Sequence, residues 1–201
     1  MYFERFSNLF INLGYQLNNL EVIFNLLIEK YSQKDRFYHN FKHIEDSLEI
    51  FDKFSYLAES PLELECAIWF HDIIYDTKIH NNEEESAKFI SSILEKGKVN
   101  SQIIDKVYKL IIATQHNVNL FSNDENLIVD IDLAILGKSE KIFNLYNKAI
   151  RKEYFWVPED IYLKERKKVL ISFYDRESIY YHKEIADLFE KRAKKNLESI
   201  I

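Results

Sequence analysis

His71 and Asp72 stand side by side in Ala67-Ile68-Trp69-Phe70-His71-Asp72-Ile73-Ile74-Tyr75, where every other residue is apolar or aromatic. Burying a charge without a partner is costly, so the pair needs something to bind. A metal ion is the leading candidate, and a salt-bridged or capping pair at a helix end is the simpler alternative. Three other groups have matching chemistry. His39 and His43 lie four apart in His39-Asn40-Phe41-Lys42-His43, which puts both on one face of a helix. His116 closes the segment Ile111-Ile112-Ala113-Thr114-Gln115-His116, and Asp130-Ile131-Asp132-Leu133 sets two carboxylates among apolar residues. Imidazole and carboxylate donors suit divalent Zn, Mn, Fe or Mg without choosing among them. The order histidine, histidine-aspartate, aspartate offers two nitrogen and two oxygen ligands, with water or substrate completing the shell.

Donors so far apart in sequence must be gathered by the fold, and the composition says which kind. The 201 residues suit one domain, 1–201, able to bury a sizeable core. Only 3 glycines and 2 prolines supply turns, so helices are the easier architecture. Apolar residues at 47% and charged residues at 30% describe a globular chain. The single cysteine, Cys66, rules out an internal disulfide framework and fits a reducing compartment. We expect it to fill core, in a cytoplasmic protein. The N-terminal residues lack a signal-peptide pattern, and no apolar run is long enough to span a membrane. A net charge of −6 disfavours duplex nucleic acid as a partner. It leaves an anionic small molecule open, because a bound metal can be the largest charge in a site.

The 3.6-residue period predicts helices at about 2–13, 19–31, 40–58, 62–76, 83–96, 100–116, 124–137, 140–154, 159–174 and 182–199. Pro61 fits the first turn of the helix carrying the His-Asp pair, Asn82 with Glu85 resembles a capping box, and Gly97 reads as a helix stop. The expectation is an all-α bundle with a core over about 36–137 and C-terminal helices, about 140–199, packed on it. In such a bundle, ligands from facing helices meet in the interior.

The set His43, His71-Asp72 and Asp132 resembles the signature of the HD superfamily of metal-dependent phosphohydrolases. The strings Arg36-Phe37-Tyr38-His39-Asn40-Phe41-Lys42-His43-Ile44, Ala67-Ile68-Trp69-Phe70-His71-Asp72-Ile73-Ile74-Tyr75-Asp76, Asn82-Glu83-Glu84-Glu85-Ser86-Ala87 and Asp130-Ile131-Asp132-Leu133-Ala134-Ile135-Leu136-Gly137 are similar to a bacterial branch of that superfamily. Arg151-Lys152-Glu153-Tyr154 and Arg166-Lys167-Lys168-Val169-Leu170 continue the match, which runs from about Arg36 to Asn196.

The resemblance implies an HD-type helical bundle holding one or two divalent ions (Mn, Mg, Fe, Co, Ni or Zn) between helices. It implies His43, His71, Asp72 and Asp132 as ligands. Asp132 is preferred to Asp130 because it stands in the Asp-Leu context the superfamily favours. His116 is the candidate ligand for a second ion, against a histidine placed favourably at a helix C-terminus. Tyr38-His39-Asn40-x-x-His43 also resembles the opening motif of the cyclic-nucleotide phosphodiesterases, which implies His39 as general acid. Ile73-Ile74-Tyr75 departs from the continuation in those enzymes, so their specificity does not carry over.

Asp72 doubles as ligand and orienter of the attacking water. Arg151 and Arg166 are the candidates for substrate phosphate, although Glu165 stands where the family usually shows glycine. Glu83 and Glu84 are candidates to reach the site through water, against acids that complement a helix N-terminus. Tyr154 and Tyr180 are either pocket wall or core. His80 reads as loop and His182 as the start of the last helix.

The implied activity is hydrolysis of a small phosphomonoester or phosphodiester, nucleotides included. The alternatives are a non-catalytic metal- or nucleotide-binding module and a di-iron oxygenase-type protein on the same fold. A homodimer is compatible with a helical domain of this size.

Overall fold

The computed structural model describes residues 2–116 and 122–201, and the described residues form ten α-helices and no strand. The helices are α1 Tyr2–Asn12, α2 Leu20–Tyr31, α3 Phe41–Phe54, α4 Pro61–Phe70, α5 Asn82–Lys96, α6 Ser101–Ala113, α7 Asn123–Asp132, α8 Glu140–Glu153, α9 Glu159–Tyr174 and α10 Lys183–Glu198. Short 3-10 turns follow α3 at Ser55–Leu57 and α7 at Leu133–Gly137. None of these helices is long and apolar enough to cross a membrane.

The expected all-α architecture is present, and its core is one continuous cluster of buried apolar side chains from Phe6 of α1 to Leu197 of α10. α4 is almost wholly enclosed, with Leu64 and the run Cys66 to Phe70 buried, and packs on α1, α3, α6 and α7. Cys66 is core filler, and burial pushes its thiol well above the ordinary range. The last turn of α4 is pinned from outside the helix. Trp69 meets Phe6 edge to face with ring centroids 5.7 Å apart, and the Tyr31 hydroxyl donates to the Trp69 carbonyl at 3.1 Å.

Two carboxylates of α7 cap other helices. Asp124, fully buried, accepts from the amides of Glu59 and Ser60 at the start of α4, at 2.8 and 3.0 Å. Asp130, also fully buried, accepts from the amides of Tyr181 and His182 at the start of α10, at 2.7 and 2.8 Å. Each satisfies amides that a helix start leaves without an intrahelical partner.

Several element ends differ from the periodicity. α4 stops at Phe70, so His71-Asp72 lies just past the helix. Arg36 takes the carbonyls of Asp72 and Ile73 at 2.6 and 3.0 Å, and the Ser86 hydroxyl accepts from the Ile74 amide at 3.0 Å. With those backbone groups claimed from outside, the chain leaves the helix although Ile73-Ile74 continues its apolar pattern. α3 begins at Phe41, because the Asn40 side chain accepts from the Lys42 amide at 2.9 Å and caps it. His39 therefore precedes the helix, and the expected shared face with His43 is not formed.

The capping box at Asn82 and Glu85 is absent as well. Asn81 is the cap residue, while Asn82 ties down the preceding loop through the Asp76 amide and carbonyl at 2.9 and 3.0 Å. The segment expected as helix over 124–137 tightens after Asp132. Tyr180, Asn196 and Arg192 donate to the carbonyls of Leu133, Leu136 and Gly137.

Gly97 does end α5, and a Cβ there would overlap the Tyr15 ring. Gly137 lies against the backbone of α10, and a Cβ there would come within 2.7 Å of the Phe189 carbonyl oxygen and 2.8 Å of its Cα. Backbone cannot swing aside as a side chain can. Gly137→Ala should therefore cost about 2 kcal/mol, read as a lower urea midpoint with unchanged slope. An unchanged midpoint would show that the contact between the Leu133–Gly137 turn and α10 yields freely.

Candidate metal centre

Three helix ends deliver the donors. His43 comes from the first turn of α3, His71 follows the last residue of α4, and Asp132 is the last residue of α7. His71 has its tautomer fixed by the backbone. Its Nδ1 lies 2.9 Å from the Ile68 carbonyl, which can only accept, so Nδ1 carries the hydrogen. In the neutral ring Nε2 is then a bare lone pair, the form that binds metal.

That atom faces His43 Nε2 at 3.0 Å. Asp132 Oδ1 lies 3.2 Å from His43 Nε2 and 3.7 Å from His71 Nε2. The donor atoms of His43, His71 and Asp132 all fall within 4.8 Å of one another, and this cluster could hold a metal ion. Asp72 flanks it, with Oδ2 3.2 Å from His71 Nε2 and 3.6 Å from His43 Nε2.

The lone pair of His71 is met at this distance by a proton on His43 Nε2 or by a metal cation. Two nitrogens each about 2.1 Å from one ion subtend about 3.0 Å at a right angle, so the donor set fits a divalent ion. The electrostatics agree. Burial disfavours the charged form of His71, yet Asp72 and Asp132 outweigh it and raise the imidazole well above its ordinary value. Burial also opposes ionisation of Asp72, but His71, His39 and His43 hold it below the usual carboxylate range. Hydrogen bonds from His116, His43 and His71 do the same to Asp132 against its own desolvation. The field that would trap a proton here equally attracts a metal cation.

The cluster opens on a cavity of about 380 Å³ whose walls include Asp72, Asp132, His39, Glu83, His116 and Arg166. His39 stacks on Tyr75 with centroids 4.1 Å apart, and its Nδ1 meets Glu153 Oε2 at 2.7 Å. Burial disfavours the imidazolium, but Asp72 and Glu153 more than offset this and hold His39 above its ordinary value.

Glu153 is the functional residue that sequence reasoning missed. Its side chain is fully enclosed. It accepts from the amides of Phe37, Tyr38 and His39 at 2.8, 2.6 and 3.0 Å, and from the Tyr75 hydroxyl at 2.9 Å. The carboxylate thereby fixes the loop, the ring and the tautomer of His39. The signal was legible in the spacing of Phe143, Tyr146, Ile150 and Glu153, which puts an acid on the stripe that faces the core. Arg36 was missed too. It also donates to the His39 carbonyl at 3.1 Å, joining the loop before α3 to the loop after α4.

The remaining candidates separate clearly. Asp130 turns away from the cluster to cap α10, with His182 Nδ1 2.9 Å from its Oδ2, so Asp132 alone of the two faces the site. His116 Nε2 contacts Asp132 Oδ2 at 2.9 Å. It holds a left-handed backbone (φ 59°), and its buried Nδ1 has no hydrogen-bond partner among the described residues. A strained non-glycine residue beside a cluster of donors is a mark of function.

Glu83 lines the cavity, where burial raises its carboxyl above the usual range. Glu84 does not; it pairs with Lys88 at 2.7 Å, the solvated first-turn acid of the simpler reading. Arg166 lines the cavity, donating to Tyr146 Oη at 2.8 Å. Arg151 is not part of that wall. Its guanidinium donates to the carbonyls of Tyr154 and Val157 at 2.6 and 3.2 Å. Tyr154 and the loop residue His80 line the cavity, whereas Tyr180 is core and His182 caps the last helix.

No family model matches this chain, and no curated protein or solved structure matches it either. The site is therefore read from its own geometry. That geometry separates the two aspartates by experiment. Asp132→Asn should lower metal content, measured by elemental analysis, at least about tenfold. Asp130→Asn should keep the metal and lose about 1–3 kcal/mol of stability, because an amide cannot accept the full α10 cap. Equal metal loss in both variants would contradict the assignment.

Proposed function

We propose that this chain is a metal-dependent phosphohydrolase of the HD type, acting on a small phosphomonoester or phosphodiester, nucleotides included. The observation that carries the reading is the placement of the His43–His71–Asp132 donors and Asp72 at one end of a cavity that also presents His39 and Arg166. A bound divalent ion there supplies a Lewis acid to a phosphoryl oxygen and lowers the pKa of a water. The chain's residues do the rest.

Arg166 is half-buried and has no carboxylate partner among the described residues, so it is free to take the negative charge of a phosphate. Asp72, on the cavity wall, orients the attacking water. His39 donates a proton from Nε2 to the leaving oxygen, while Glu153 holds Nδ1–H and stabilises the ring in both protonation states. His116 and Glu83 share the cavity with Asp132 and are the residues available to a second ion. The motif resemblance supports the same reaction class.

The test is turnover of a panel of nucleotides and aryl phosphates with Mn, Mg, Co or Fe supplied. Asp72→Ala should retain no more than about 1% of wild-type kcat, and full retention would sink the site assignment. His39→Gln should lower kcat about 100-fold on alkyl and nucleoside esters. The loss should be much smaller on a nitrophenyl ester, whose leaving group needs no proton. A general acid with a raised pKa stays protonated to higher pH. The wild-type rate should therefore fall on the alkaline side only above the ordinary imidazole range, and Glu153→Gln should move that limb downward.

A further inference from the structure

A second cavity, of about 550 Å³, lies between α8 and α9, and Arg166 lines both it and the metal cavity. Its cations are set by helical spacing. Lys148 and Arg151 are one turn apart on α8, and Arg166 with Lys167 follows Tyr162 by one turn on α9. In a chain of net charge −6, four cations converge there against a single lining acid, Glu159.

None of the four is neutralised. Arg151 donates to two backbone carbonyls and Arg166 to an amide and a phenol, all uncharged acceptors. Lys148 and Lys167 make no ion pair among the described residues. By contrast Lys168, one residue on, is paired with Glu165 at 2.7 Å. Tyr162, only 8% exposed, lines the same groove, and its hydroxyl has no hydrogen-bond partner among the described residues.

We infer that this groove is a second anion site, for the polyphosphate moiety of a small molecule, distinct from the metal cavity and joined to it by Arg166. The inference does not depend on the phosphohydrolase reading. Two guanidiniums with unused N–H donors suit phosphoryl oxygens, and the exposed lysines add charge at the mouth. The length of the groove along two helices suits more than one phosphate.

Isothermal titration of the full-length chain with inorganic pyrophosphate tests it. The double variant Lys148→Gln, Lys167→Gln changes two exposed side chains and leaves the core intact. Its Kd should rise about tenfold, and wild-type affinity should weaken as salt is raised. Asp132→Asn, which disables the metal cluster, should leave Kd within about twofold of wild type. Absence of binding to wild type would overturn the inference. So would an unchanged Kd in the lysine variant, or loss of binding in Asp132→Asn.

Discussion

Two imidazole nitrogens, His43 Nε2 and His71 Nε2, face each other 3.0 Å apart inside an apolar core. A proton or a metal cation must lie between them. Much of the molecule serves to impose that approach. The Asn40 cap sets where α3 begins and so where His43 points. Trp69 and Phe70, locked against α1, fix the end of α4. The Ile68 carbonyl chooses the tautomer of His71. Asp132 and Asp72 supply the negative charge that makes a cation welcome. Three helix ends and two carboxylates hold the pair in this geometry.

α7 is the element through which these constraints are joined. Three of the four acids among its ten residues have separate duties. Asp124 closes the start of α4, Asp130 closes the start of α10, and Asp132 reaches the histidines. The helix that supplies an oxygen donor also positions the helix that supplies His71. Arg36 performs the corresponding task for the loops, holding the carbonyls of His39, Asp72 and Ile73 with one guanidinium. Glu153 then orients His39 by gathering the amides around it. The proposed acid and the proposed ion are thus held by networks that meet at residues 36–40.

The helices were legible because their apolar stripes recur every three to four residues, and all ten begin within one residue of the expected start. The donors His71, Asp72 and Asp132 were legible as polar residues in apolar surroundings, and His43 by its spacing from His39. What could not be read were the backbone hydrogen bonds that end helices early. Ile73 and Ile74 look like more helix until Arg36 and Ser86 claim their polar groups. His39 looked helical with His43 because nothing in the spacing shows that Asn40 caps rather than continues. Arg151 looked like a partner of substrate because its type suits phosphate. Only the fold shows its guanidinium closing the turn after α8. Glu153 was passed over for the opposite reason, since a glutamate beside lysine and arginine reads as surface until its place on the buried stripe is counted.

The proposed divalent cation would lie between the two facing histidines. Anomalous diffraction from crystals grown with Mn or Co, collected at the metal edge, tests it directly. A peak about 2.0–2.3 Å from His43 Nε2, His71 Nε2 and an Asp132 oxygen is the predicted result. A fully occupied metal elsewhere, with the two imidazoles still 3.0 Å apart and bridged only by a proton, would contradict it.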